Sequence, residues 1–458
     1  MRDEAHFPVF LPRQAERAAL FAAVRDMRCL SVVGVSNLGK SALLRSLTDP
    51  IVQSEHLGAQ KDDYLFIFVD FNQMVENTEQ AFYELTLRCS LEALRRCPVP
   101  DDILQNVQAD YEGLVSPGSS FAVPLHFAQA MGVIGEKLPQ RVVFLLDELD
   151  GPLARIDGRV FLNLRALKDR HLQGLTYITA TNRRLTQIRD DGDVAEFDEM
   201  FASSIHYLTP LDEDEANAFA EGYAAGTGAT FSADDLAFIR LWAGGHPGLV
   251  SAVCHVLAEI TGAALRDFSQ DAIIHRRAAE ILAHDVTLHA ECRRIWEDLA
   301  GPEQEALLYL VNAGGDEEPP EMASVTDKHL VVGTGPERRF FARAFGEYVR
   351  RLHVSRRDGR SALQVDAESG GAWIDGKPLP TLTNLEYRLL LLLFGHAGKI
   401  CSKYDVVEAV WGEEYIDEVD DARIEKLVSR LRQKIEPDIN NPHYLLTVRG
   451  RGYKLVTG

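Results

Sequence analysis

Gly34-Val35-Ser36-Asn37-Leu38-Gly39-Lys40-Ser41 follows the mostly apolar run Cys29 to Val33, and a helical pattern begins directly behind it. This stretch constrains the fold more than any other in the chain. Consecutive backbone N–H groups can converge on an anion only where no Cβ stands in the way, which explains the two glycines. The helix behind the loop turns its positive end toward the same point. A strand, a glycine-bounded loop and a helix of this composition form a phosphate cradle, with the strand buried on both faces of an α/β sheet. The pattern is a complete Walker A loop. Gly34, Gly39, Lys40, Ser41 and Ala42 are the expected nucleotide-binding set. Lys40 reaches the β and γ phosphates, and Ser41 is a ligand for Mg²⁺. The expected cofactors are therefore ATP or ADP and Mg²⁺.

A second element fits the first. "RVVFLLDELD" reads as a buried strand ending in Asp147 and Glu148, the Walker B form. Asp147 is the expected second Mg²⁺ residue, and Glu148 is placed to polarise an attacking water. The next strand ends in "TATNRR", where Thr181, Asn182 and Arg183 can face a γ-phosphate. The sensing arginine is Arg183 or its neighbour Arg184. Lys40, Glu148 and Arg183 are the expected catalytic residues.

Five short apolar segments, Leu30–Val33, Tyr64–Val69, Val142–Leu146, Leu175–Ala180 and Ser204–Leu208, alternate with helical patterns. That alternation predicts a parallel sheet between helical layers. The expected organisation is multidomain, α/β plus α. Residues 1–210 form a P-loop ATPase domain, and 211–285 a helical lid. Residues 286–355 form a winged-helix-like module that closes on an Arg-rich helix from Arg338 to Arg351. Residues 356–360 are a linker, and 361–458 a second winged helix.

The C-terminal segment opens with short strands and continues as "LTNLEYRLLLLLFGHAGKICSKYDVVEAVWG". Leu385, Leu389, Leu392 and Leu393 fall on one helical face and predict core. "DARIEKLVSRLRQKIEP" is amphipathic, with Ile424, Leu427, Val428 and Leu431 inward and Arg423, Lys426, Arg430, Arg432 and Lys434 outward. "HYLLTVRGRGYKLV" predicts a hairpin with Arg449 and Arg451 at its tip. A basic helix followed by a basic wing is suited to the major groove and the adjacent backbone or minor groove of double-stranded DNA. The formal net charge of −21 excludes a chain coated for nucleic acid along its whole length, so the basic surface must be local. The six cysteines show no zinc spacing and suit a reducing cytoplasm. No apolar run is long enough to predict a membrane span, and no membrane partner is expected.

The ordered set "FLPRQAERAAL", the Walker A and B elements, "TNR" and "GGHPGLV" resembles the STAND class of signal-transduction ATPases, relatives of AAA+ proteins. The resemblance implies a slow ATPase used as a switch that self-assembles with ATP. It places Arg13 at the nucleotide and Pro247 beside the adenine. His246 is expected to be a packed or exposed loop residue without a catalytic role. Residues 361–458 resemble the OmpR/PhoB-type effector domain through "LPTLTNLEYRLLLLL", "VVEAVWG", "VSRLRQKIEP" and "TVRGRGYKL". That resemblance implies binding to direct repeats and an RNA polymerase contact through the loop 412–421. Together they imply an ATP-gated transcription regulator. Two other readings remain open: an AAA+ machine acting on DNA in replication or transposition, and a defence or stress switch that docks protein through its winged helix.

Overall fold

The apolar segments form five strands: β1 Leu30–Val33, β2 Tyr64–Asp70, β3 Arg141–Asp147, β4 Leu175–Thr181 and β5 Ile205–Tyr207. The computed structural model describes residues 12–261, 271–311, 319–357, 363–365, 371–374, 377–412, 421–436, 438–439, 442–448 and 450–456. All five strands run parallel, in the order β2-β3-β4-β1-β5. β4 therefore separates the Walker A strand from the Walker B strand. The carboxyl ends of β1, β3 and β4 open onto one shared edge, where α/β sheets bind ligands. Every residue of β1 and β4 is buried, as a two-sided sheet requires. Helices Glu79–Arg96, Asp101–Val115, Ala122–Lys137 and Arg159–Arg170 contribute side chains to the core on this sheet, including Phe82, Tyr83, Phe127 and Phe161.

Helices Glu213–Thr227, Ala233–Ala243, Pro247–Thr261 and Asp271–Leu282 follow. Gly244 and Gly245 separate the second from the third. Both have positive φ, and a Cβ on either would lie 2.2 Å from a backbone oxygen, of Phe341 and Leu211 respectively. Next come helices Val286–Glu297, Gly301–Val311 and Met322–Asp327, and an antiparallel pair, β6 Val331–Val332 and β7 Arg339–Phe340. The closing helix is Arg343–Arg357, so its start differs from the expected Arg338. Arg339 is withdrawn into strand pairing with Val332, which a helical wheel does not register. Arg343, Arg350 and Arg351 are exposed; the Arg343 guanidinium lies 4.6 Å from the Trp242 ring centre, and Arg351 bonds the His289 ring at 2.7 Å.

The described residues divide into two compact units. The first comprises residues up to Ala283 with Arg294–Ala306 and Glu318–Ala344. The second comprises His284–Arg293, Leu307–Glu317 and Phe345 onward. In the second unit an antiparallel sheet, β8 Leu363–Val365, β9 Ala372–Ile374 and β10 Lys377–Pro378, precedes helices Asn384–Gly395, Lys403–Trp411 and Asp421–Ile435. A second antiparallel sheet follows, with β11 Ile400–Cys401, β12 Leu445–Val448 and β13 Gly452–Leu455 in the order β11-β13-β12. This is a winged helix. Its core holds Leu389 and Leu393 as expected, but Leu390 replaces Leu385, which is exposed. The capping box of Thr383 and Glu386 turns the helix so that Glu386 faces inward.

Candidate functional site

Lys40 projects from the first turn of helix Lys40–Ser46 and is buried. Its Nζ donates to the carbonyls of Gly34 and Val35 at 2.8 and 3.2 Å and to Asn182 Oδ1 at 2.6 Å. The end of β4 thus meets the Walker A lysine directly through Asn182. Burial lowers the Lys40 pKa, and Asp298, Glu148, Asp150 and Asp147 oppose the shift. Gly39, at the loop exit, has φ +96 and lies beside the Arg13 guanidinium, so a Cβ there would be strained. Arg13 is buried and donates to Leu38 O at 2.6 Å and Thr209 O at 2.7 Å, with Glu16 alongside at 3.3 Å. It braces the loop from behind. Ser41 is half-buried and Ala42 exposed.

Asp147 is 1 % exposed, and neither carboxylate oxygen has a hydrogen-bond partner. Burial pushes its pKa up to about 6, a shift the nearby Ser41 hydroxyl opposes and Glu148 reinforces. A buried carboxylate with no neighbour but the Ser41 hydroxyl to offset its charge by hydrogen bonding suits a cation, and Ser41 supplies a second oxygen. Among the described residues no group of three or more His, Cys, Asp or Glu forms a metal cage. A Mg²⁺ held by Ser41 and Asp147 needs none, because Mg²⁺ fills its shell with waters and phosphates. Glu148 is half-buried with φ +58, an unusual backbone for a non-glycine residue.

Several contributors escaped sequence reasoning. Asp150 accepts the Asn182 N–H on both oxygens at 3.0 and 3.1 Å, and burial pushes its pKa up to about 6. It holds Asn182 toward Lys40. His246, expected as a packed or exposed loop residue without a catalytic role, is packed: it is fully buried, and its Nε2–H donates to Ser36 O at 2.9 Å while Nδ1 accepts the Leu249 N–H. Burial pushes its pKa down to about 4. It is a neutral pin between the Walker A loop and the helix that Pro247 opens. Asp298 accepts the Ser36 N–H at 2.5 Å and an Asn182 Nδ2–H at 2.9 Å. Arg183 donates to the carbonyls of Asp298 and Glu297 at 2.7 and 2.6 Å. The "GGHP" element was the one local signal for His246, and nothing local marks Asp298.

In the winged helix, Arg423, Lys426 and Arg430 lie on the exposed face of helix Asp421–Ile435, and Arg451 is exposed at the turn before β13. Arg432 and Lys434, expected outside, are tied inward. Arg432 donates to Leu445 O at 2.9 and 2.6 Å and to Thr447 Oγ1 at 2.8 Å. Lys434 bonds Glu386 and Thr381 O, both at 2.7 Å. The hairpin and the first helix come within reach of this basic face, so its last turn is not free. Arg449 and residues 413–420 of the 412–421 loop lie outside the described residues.

Comparison with known proteins locates the second unit. Residues 376–455 match the family "Transcriptional regulatory protein, C terminal". Sensory transduction protein RegX3 of Mycolicibacterium smegmatis is 38 % identical over 93 residues, 20 % of this chain and 40 % of that protein. The chain spans 35 to 46 % of the length of such curated relatives. The RstA DNA-binding domain of Klebsiella pneumoniae, solved with the RstA box, is 26 % identical with a TM-score of 0.20, covering 21 % of this chain and 93 % of that one. The Aeropyrum pernix ORC2 protein, solved as ADPNP-ADP complexes, is 14 % identical with a TM-score of 0.45, covering 77 % and 98 %. The C-terminal domain is an OmpR/PhoB-type transcription-regulator DNA-binding domain. The N-terminal region has a P-loop ATPase-like fold. Among the described residues, no helix is long and apolar enough to cross a membrane.

Proposed function

We propose that the chain is a transcription regulator gated by ATP. One observation carries this reading. In a single chain, the Walker A lysine, an unpartnered Walker B carboxylate and a polar strand end converge, and the chain ends in a transcription-regulator DNA-binding domain. Lys40 leaves the Gly34 and Val35 carbonyls to pair with phosphate, and the backbone of Gly39, Ser41 and Ala42 receives the same anion. Asp147 and Ser41 would hold Mg²⁺, which would supply neutralisation of phosphate charge. Glu148 takes a proton from the attacking water at its carboxylate, and its half-buried setting suits slow turnover. In this reading Asn182 senses the terminal phosphate, and Arg183 does so only on leaving the Asp298 and Glu297 carbonyls it now holds. The ATP form self-assembles as STAND-type switches do, and paired winged helices on directly repeated half-sites gain effective concentration. The 412–421 loop is the candidate RNA polymerase contact, and the cytoplasm the expected compartment.

The test is retention of host genomic fragments by the pure protein in ADP and in a non-hydrolysable ATP analogue, followed by sequencing. Enrichment of a few loci with direct repeats, stronger with the analogue, supports the proposal. Sequence-blind retention favours the AAA+ DNA machine, and no retention in either state favours protein docking. Lys40→Ala abolishes the nucleotide effect, whereas Glu148→Gln retains ATP and the enriched state.

A further inference from the structure

Ser36 sits third in the Walker A loop, and both its backbone groups are taken. Its carbonyl accepts from His246, and its N–H donates to the Asp298 carboxylate at 2.5 Å. The other Asp298 oxygen accepts from Asn182 Nδ2 at 2.9 Å, and Asn182 in turn holds Lys40. Asp298 is 9 % exposed; burial raises its pKa, and the Ser36 hydrogen bonds, Lys40 and Arg183 oppose the shift. Arg183 grips the Asp298 and Glu297 carbonyls, so backbone and side chain of this residue are held separately. A carboxylate among a loop N–H, a strand-end amide and a P-loop lysine presents what a phosphoryl oxygen would present: negative oxygens to converging donors.

We infer that Asp298 is a built-in phosphate surrogate. It latches the segment Arg294–Ala306 onto the Walker A loop and competes with the terminal phosphate of ATP for Ser36, Asn182 and Lys40. This rests on the nucleotide-binding reading above. Two anions cannot share one set of donors without strong repulsion, so binding of a γ-phosphate expels the carboxylate and leaves the segment tied here only by the Arg183 grip on its backbone. ADP, one phosphate shorter, leaves the latch closed. By reciprocity, weakening the latch strengthens ATP binding by the factor with which ATP weakens the latch. The geometry thereby supplies the chain with a reporter of its γ-phosphate.

The experiment uses the full-length protein with Mg²⁺ and a fluorescent ATP analogue and its ADP counterpart. Wild type is compared with Asp298→Asn, which keeps the shape and removes the charge, and with the smaller Asp298→Ser. Amide hydrogen exchange of residues 294–306 is measured alongside. The expected result is about a tenfold gain in ATP affinity in both variants, with ADP affinity changed far less. Exchange of 294–306 should be fast in the variants without nucleotide, and in wild type only with ATP. Unchanged or weaker ATP affinity in variants whose exchange elsewhere is native overturns the latch and leaves nucleotide binding intact. If wild type and variants all fail to bind either nucleotide, both readings fall.

Discussion

Replacing Asp147 by Asn should stabilise the nucleotide-free protein while disabling its Mg²⁺-dependent function. The carboxylate is buried, neither oxygen has a hydrogen-bond partner, and burial pushes its pKa from 3.8 up to about 6. At about 1.36 kcal/mol per pH unit, that gap amounts to about 3 kcal/mol held against the folded state when the group is ionised. The sign follows from proton linkage. The folded pKa lies above the unfolded one, so the folded state binds more protons between about pH 6 and pH 4. The Asp147 contribution to stability therefore improves as pH falls through that window, and the full penalty is present above it. Asp147→Asn removes the penalty. At pH 7.5 the variant should unfold several degrees higher than wild type, with about 3 kcal/mol as the ceiling, and the difference should shrink toward pH 4. Asp150 and His246 also shift with pH, but they are common to both proteins and cancel in the difference. Thermal unfolding of both proteins across pH 4.5 to 8 reads this directly, and Mg²⁺ titration of ATP affinity reads the functional half. A variant less stable than wild type at pH 7.5, or a difference independent of pH, would refute the picture of an unneutralised carboxylate awaiting a cation.

Three further outcomes are expected. The Glu436 carboxylate accepts the backbone N–H groups of His443, Tyr444 and Leu445 at 2.6 to 3.1 Å. Glu436→Gln turns an amide donor onto one of them and should cost about 2–3 kcal/mol. Accelerated hydrogen exchange at Tyr444–Val448 checks it, and native protection there would contradict it. Lys328 and Glu303 form a buried pair at 2.8 Å, with Ser324 also donating to Glu303. Lys328→Met should cost about 3–5 kcal/mol, and adding Glu303→Gln should recover most of that in a thermal melt. Arg451→Ala should lower the salt slope of DNA binding by about one with little loss of stability. Arg432→Ala should instead lower the unfolding midpoint, and an equal effect of the two on the slope would show that both reach phosphate.

Strand positions were legible because the sheet is buried on both faces. An unbroken apolar run such as Val142–Leu146 has few other uses. The Walker elements were legible because phosphate binding demands particular residue types at adjacent positions. Contacts made across long sequence separations were not. Asp298 meets Ser36 over 262 residues, and no periodicity marks it. Nothing local singles out Asp150, yet its carboxylate orients Asn182, 32 residues on. Helical periodicity sorted Ile424, Leu427, Val428 and Leu431 into the core correctly. It assigned Arg432 and Lys434 outward because a wheel shows a helix alone, without the hairpin and helix that pack beside it. The same limit misplaced Leu385, where a reciprocal cap at Thr383 set the helix rotation.

Arg432 carries a mechanical consequence. Its guanidinium stitches the last turns of helix Asp421–Ile435 to both Leu445 and Thr447 on the strand that leads into the wing. The exposed arginines and lysine of the helix and Arg451 at the hairpin turn are thereby mounted on one stiff bracket. Such a bracket does not peel from a surface one finger at a time. On DNA, if the proposed function holds, its grips would let go together, and departure would be a single concerted event whose rate sets how long a bound site stays marked.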